Sequence, residues 1–132
     1  MSDLDKVSRL EGAELDYWVA MALGFIASNA VICTKQNKET FSRADAVEGC
    51  LYIRLGGHET KYSPSRRWNE AGPIIEREHI GLQKMADYWF AGVCKPPAPG
   101  MRDGRGPTPL IAAMRCFVAS RFGETVGEQK AA

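Results

Sequence analysis

The sequence predicts an α+β fold in which two principal helices pack on a small, mainly antiparallel sheet. Three observations carry that expectation: an amphipathic helical pattern near the start, a helix apolar nearly all round near the end, and short strand-like runs between them. The chain has 132 residues and a mass of 14.5 kDa, the size of one ordinary domain. Hydrophobic residues make up 45% and charged residues 25%, which excludes both an intrinsically disordered chain and a membrane protein. With 17 Lys+Arg against 16 Asp+Glu the net charge is +1, so no bulk polycation or polyanion is being built. Residues 1–132 therefore read as a single domain, with 1–8 and 124–132 as frayed tails.

The first helix is expected from about Leu10 to Leu23. Leu15, Trp18, Val19, Ala22 and Leu23 recur at i, i+3, i+4, i+7 and i+8, so they line one face. Ser8 and Glu11 have capping-box spacing ahead of it, and Gly24 offers a left-handed stop after it. Trp18 on that face reads as a core aromatic. Ala30 to Thr34 can form a short strand, and Cys50 to Leu55 reads better as one, with Leu51, Ile53 and Leu55 on one side. Gly56-Gly57 then makes a turn, with His58 beside it. The polar run between the two strands fits a loop or a short helix equally well.

Pro73, just after Gly72, suits the first position of a short helix through Ile74, Ile75, Glu76 and Arg77. Asp87 to Val93 is rich in aromatics and reads as a strand. Lys95 to Pro109 holds five of the seven prolines and three glycines, so residues 95–107 are expected as a long Pro/Gly loop. It leads to Thr108, an N-cap candidate, and Pro109 at the first helical position. The last helix, Pro109 to Phe122, carries Leu110, Ala113, Met114 and Phe117 on one side and Ile111, Val118 and Phe122 on another. That predicts a central buried helix, stopped by Gly123.

Motifs of chemistry are sparse. Cys33, Cys50, Cys94 and Cys116 form no C-x-x-C, so zinc ribbons and dithiol redox motifs are unsupported. The polar, acidic start lacks a signal-peptide layout, which places the chain in the cytoplasm with its thiols reduced, and Cys116 reads as a small buried hydrophobe. The apolar stretch from Trp18 to Ile32 is split by Gly24, Ser28 and Asn29, so no membrane span is expected. There is no H-E-x-x-H, G-x-S-x-G or phosphate-loop spacing. No catalytic residue, metal ligand or cofactor is assigned.

Binding features are better represented. Residues 1–50 carry 5 positive and 8 negative side chains, giving −3, and residues 51–132 carry 12 and 8, giving +4. Lys61, Arg66 and Arg67 flank Tyr62 and Trp68, the basic-aromatic mixing that stacks bases or grips phosphates, or simply a solvated loop with its rings turned inward. Gly104-Arg105-Gly106-Pro107 reads as a flexible basic loop feeding a helix N-terminus, which attracts anions, or as no more than a capped helix start. Glu76 reads as a buried anchor for an arginine. The candidate ligand-binding residues are Tyr62, Ser63, Arg66, Arg67, Trp68 and Glu76 with Arg105, Gly106 and Thr108, joined into one surface.

The stretch YSPSRRWNEAGPIIEREHIGL, followed by GPTPLIAAMRCFVASRFG, resembles the NinX family of small phage and prophage proteins. The helix LEGAELDYWVAMALG fits the same family. The resemblance covers about half the chain, and the order Tyr-Ser-Pro-Ser, Trp, Gly-Pro-Ile-Ile-Glu carries it. Where Ser/Thr-Asn/Asp-Trp and Gly-Gly-Pro are expected of members, this chain has Ser65-Arg66-Arg67-Trp68 and Ala71-Gly72-Pro73, which makes the loop more basic. The resemblance implies a phage-encoded accessory protein of unassigned activity, acting in the cytoplasm of a bacterial host. The reading is a non-enzymatic binding protein for an anionic small molecule or a host protein. The alternative is a DNA- or RNA-binding accessory factor, with an enzyme third. The oligomeric state is left open.

Overall fold

The computed structural model describes residues 5–24, 31–33, 51–55, 58–93, 103–123 and 125–126. In chain order these form β1 (Asp5–Lys6), a 3-10 turn (Val7–Arg9), α1 (Gly12–Ala22), β2 (Val31–Cys33), β3 (Leu51–Leu55) and β4 (His58–Tyr62). Then come α2 (Trp68–Glu78), β5 (Ile80–Lys84), β6 (Trp89–Val93), β7 (Asp103–Gly106), α3 (Pro109–Phe122) and β8 (Thr125–Val126). The class is α+β, as expected, but the sheet is divided. Strands β2-β3-β4 and β5-β6-β7 make two three-stranded antiparallel sheets, and β1 pairs with β8.

Helix α3 organises the core. The Thr108 hydroxyl accepts from Ile111 N at 3.1 Å, Pro109 takes the first helical position, and Gly123 at φ 89° closes the helix, all as the sequence indicates. Leu110, Ala112, Ala113, Met114, Cys116, Phe117, Val118 and Ala119 are buried, so the helix is covered on nearly every side. Sheet β5-β6-β7 lies against it, with Ile80, Ala91 and the two glycines of β7 on the packed face. Leu15 and Val19 of α1 and Ala71 and Ile74 of α2 complete the cluster. Trp18 packs on it too, edge-on to both Tyr17 and Phe122. A smaller cluster of Ala13, Ala20, Leu51 and Ile53 joins the other face of α1 to β3.

Six sequence expectations are corrected. The basic loop Gly104-Arg105-Gly106 is a strand, β7, with Gly104 and Gly106 buried against α3. A Cβ on Gly104 would collide with the backbone of Ala112 and Cys116, and one on Gly106 would come within 2.7 Å of Ile111 Cγ2. These glycines permit close helix approach rather than flexibility. His58 begins a strand, β4, instead of lying in a turn, and β5 went unseen. Helix α2 begins at Trp68, five residues before Pro73; burial of Ala71 and Ile74 offsets the one backbone bond that Pro73 forfeits. Ser8 lies in the 3-10 turn and Glu11 caps α1 without a side-chain bond, so no capping box forms. The tails are not wholly frayed, because Asp5 and Lys6 pair with Val126 and Thr125 around buried Val7 and Val126. Finally, Glu76 is exposed. The carboxylate that holds arginines is Glu78, with Arg77 and Arg121 both at 3.0 Å.

Candidate functional site

The turn between β4 and α2 is built around a carboxyl group from a distant helix. Asp16 lies on the buried side of α1 and is fully enclosed. Its Oδ1 accepts the backbone N–H of Ser65 at 2.9 Å. Ser63, Pro64 and Ser65 are buried with it, so the turn is pressed into the protein rather than draped over it. Within the turn the carbonyl of Ser63 accepts from both Arg66 N and Arg67 N at 2.9 Å. Ser63 N in turn donates to Glu70 Oε1 at 2.6 Å, tying the turn to the first coil of α2. The sequence reading named Tyr62 and Ser63 here but missed Asp16 and Glu70. A polar residue at position 16, between Leu15 and Tyr17 on a helix, was the available signal.

The electrostatics of this turn are unusual. Burial pushes the Asp16 carboxyl up to about 7, against the lowering influence of the Ser65 N–H and hydroxyl and of Arg66, with Glu70 adding to the rise. Asp16 Oδ2 and Ser65 Oγ are both buried and have no hydrogen-bond partner among the described residues. The Ser65 hydroxyl thus stands close enough to influence the carboxyl without completing a bond to it. Tyr62, half-buried at the end of β4, has its phenol raised well above the ordinary range, by burial first and then by the charges of Glu70 and Asp16.

What the turn presents outward is different in kind. Arg66 and Arg67 are exposed, and Trp68, the first residue of α2, is 55% exposed. It is the only large hydrophobic residue so exposed among the described residues. The other half of the predicted surface sits on β7 and at the start of α3. Arg105 lies 5.5 Å from the centre of the Tyr88 ring, and its carbonyl accepts from Arg115 Nη1 at 2.7 Å. Gly106 is closed off by Ile111, and the Thr108 hydroxyl is engaged with Ile111 N. The structure therefore gathers Tyr62, Ser63, Arg66, Arg67 and Trp68 around one turn. The bonds of Arg105 and Thr108 run instead to α3, and exposed Glu76 belongs to neither group. No group of three or more His, Cys, Asp and Glu among the described residues could hold a metal ion.

The family model described as bacteriophage P22 NinX matches residues 6–121. The chain belongs to that family. The match runs from the end of β1 almost to the end of α3, so Asp16, the Ser63–Arg67 turn and Trp68 all fall inside the NinX region. No curated protein matches the chain. Membership in a phage NinX family makes this a phage accessory protein. None of its described helices is long and apolar enough to cross a membrane.

Proposed function

We propose that this phage accessory protein acts by binding, and that it holds a host protein in the bacterial cytoplasm through Arg66, Arg67 and Trp68. The supporting observation is the exposure of Trp68 on a turn whose backbone is fixed from inside by Asp16 and Glu70. Tryptophan and arginine are the residue types that most often dominate protein interfaces. A ring carried on a backbone already held in place leaves less chain to order on binding, which leaves more of the contact energy for affinity. The complementary partner surface is an apolar pocket rimmed by acidic groups.

A nucleic acid is the second reading, favoured by the two arginines beside a ring that could stack on a base. Grooves for single strands, however, set several rings along a cationic track, whereas the described turn offers one ring. An anionic small molecule bridging to Arg105 and Thr108 draws less support, since the Thr108 hydroxyl is already committed.

The experiment compares host lysate proteins retained by wild type, by Trp68→Ala and by an Arg66→Ala/Arg67→Ala double variant, quantified by mass spectrometry. A partner retained by wild type and lost from both variants supports the reading. Equal retention by all three removes it. Binding to unrelated oligonucleotides that collapses as salt rises would transfer the case to nucleic acid.

A further inference from the structure

Helix α2 keeps an apolar stripe on its outer side. Trp68, Gly72 and Ile75 recur at i, i+4 and i+7, so they stand in line along the helix, with Glu76 beside them. Trp68 is exposed and Ile75 half-buried, and a Cβ on Gly72 would meet nothing within 4 Å beyond its chain neighbours and its own helix. A helical glycine left bare in this way lets another backbone come close. The two ends of the stripe carry opposite charges. Arg67, the N-cap, and Glu76, in the last turn, are both exposed, and neither side chain makes an ion pair among the described residues. Roughly 13 Å of helix rise separates them. Each also sits at the end that its own helix dipole disfavours, the cation at the positive N-terminus and the carboxylate near the negative C-terminus.

A second copy of the same helix, running antiparallel, answers all of these features about one two-fold axis. With the axis beside Gly72, Arg67 of each copy lies opposite Glu76 of the other, and Trp68 of each lies opposite Ile75 of the other. Both pairings are centred on the same point of α2, between Ala71 and Gly72, so the bare glycine falls at the crossing, where the two helices come closest. The misplaced charges are then set against their opposites. We propose that two copies of this chain pair through α2 in this antiparallel arrangement, each covering Trp68 of the other. One helix from each copy makes a contact at the small end of interface sizes, so the pair forms as concentration rises and opens on dilution. Trp68 is accessible in the single copy and covered in the pair, so pairing holds the recognition surface back. That consequence rests on the host-protein reading above, but the pairing itself does not.

Sedimentation of the full chain alone, over a concentration series, reads the pairing directly. The mass should rise from 14.5 kDa in dilute solution towards twice that value when concentrated. Trp68→Ala should weaken the pair by about tenfold or more, since it removes the ring at both symmetric contacts. Arg67→Glu and Glu76→Arg should each do the same, because either one sets like charges together at both ends. An equal mixture of the Arg67→Glu and Glu76→Arg proteins should pair again, every contact between the two chains then joining opposite charges. All three positions are exposed, so these variants leave the core intact. A mass that stays at the single-copy value at every concentration would overturn the proposal. So would a charge reversal without effect on association, or a mixture that pairs no better than its components. A chain that never pairs yet captures a host protein removes the pairing alone; a chain that pairs yet captures nothing removes the host-protein reading alone.

Discussion

The backbone N–H of Ser65 donates to Asp16 Oδ1 at 2.9 Å across 49 residues of sequence, with Asp16 fully enclosed and Ser65 2% exposed. This bond fastens the motif-rich turn to the first helix. Removing the carboxyl altogether would strand a buried donor. Asp16→Ala should therefore cost about 2 kcal/mol or more of stability, the scale of a buried polar group left without its partner. Chemical denaturation at pH 6 and 25 °C measures it.

The same carboxyl makes stability depend on pH. Its folded pKa, about 7, lies above the unfolded value of 3.8, so between those values the folded state holds a proton that the unfolded state has released. The Asp16 contribution is then fully present below about pH 4, falls as pH rises, and is lost above about pH 7. Asp16→Asn mimics the neutral acid, its amide oxygen accepting from Ser65 N. The advantage of Asp16→Asn over wild type should accordingly grow as pH rises through this window. Parallel stability curves for the two proteins would contradict it.

Met114 is fully buried in the middle of α3. Met114→Asp places an unpaired charge there and should abolish cooperative folding. Met114→Leu conserves volume and should cost less than about 1.5 kcal/mol. Thermal melts of the two variants separate a core position from a surface one.

How much could be read from residues alone follows from where the signals are local. The span of α3 was legible to the residue, because Thr108, Pro109 and Gly123 mark its ends by local chemistry. Strands β2 and β3 were legible from β-branched and aliphatic runs. Strand β7 was not, because its glycines are explained only by a helix that packs on them from elsewhere in the chain. Strand β4 hid because His58-Glu59-Thr60-Lys61 has no apolar alternation, its pairing with β3 being a matter of backbone bonds. The turn at Tyr62–Trp68 stood out as a motif, yet its cause, a carboxyl on α1, is a long-range contact that no spacing rule reveals.

The β7–α3 contact makes a strong test of that argument. Gly104→Ala adds one methyl group against the backbone of Ala112 and Cys116, which cannot rotate away as a side chain could. Overpacking of this kind costs about 1–3 kcal/mol. Gly72→Ala, where an added Cβ meets nothing within 4 Å beyond its chain neighbours and its own helix, gains helix propensity but sets a Cβ before Pro73, so it should cost less than Gly104→Ala. If the two substitutions have equal effects on the melting temperature, β7 does not press on α3.

The recognition surface can be tested without a partner, through the light Trp68 emits. Of the three tryptophans, Trp18 and Trp89 pack against the core, while Trp68 stands 55% exposed. An exposed indole emits at longer wavelength and meets solutes freely, so Trp68→Phe should remove the red-shifted, quencher-accessible part of the emission. Arg66 and Arg67, both exposed beside the ring, should concentrate a small anion around it. Iodide should then quench that component more efficiently than caesium, and the difference should shrink as salt screens the arginines. Arg66→Ala/Arg67→Ala should bring the two quenchers closer together. A Trp68→Phe spectrum with its quenching unchanged would mean the ring is covered in solution, and the anchor would be lost with it.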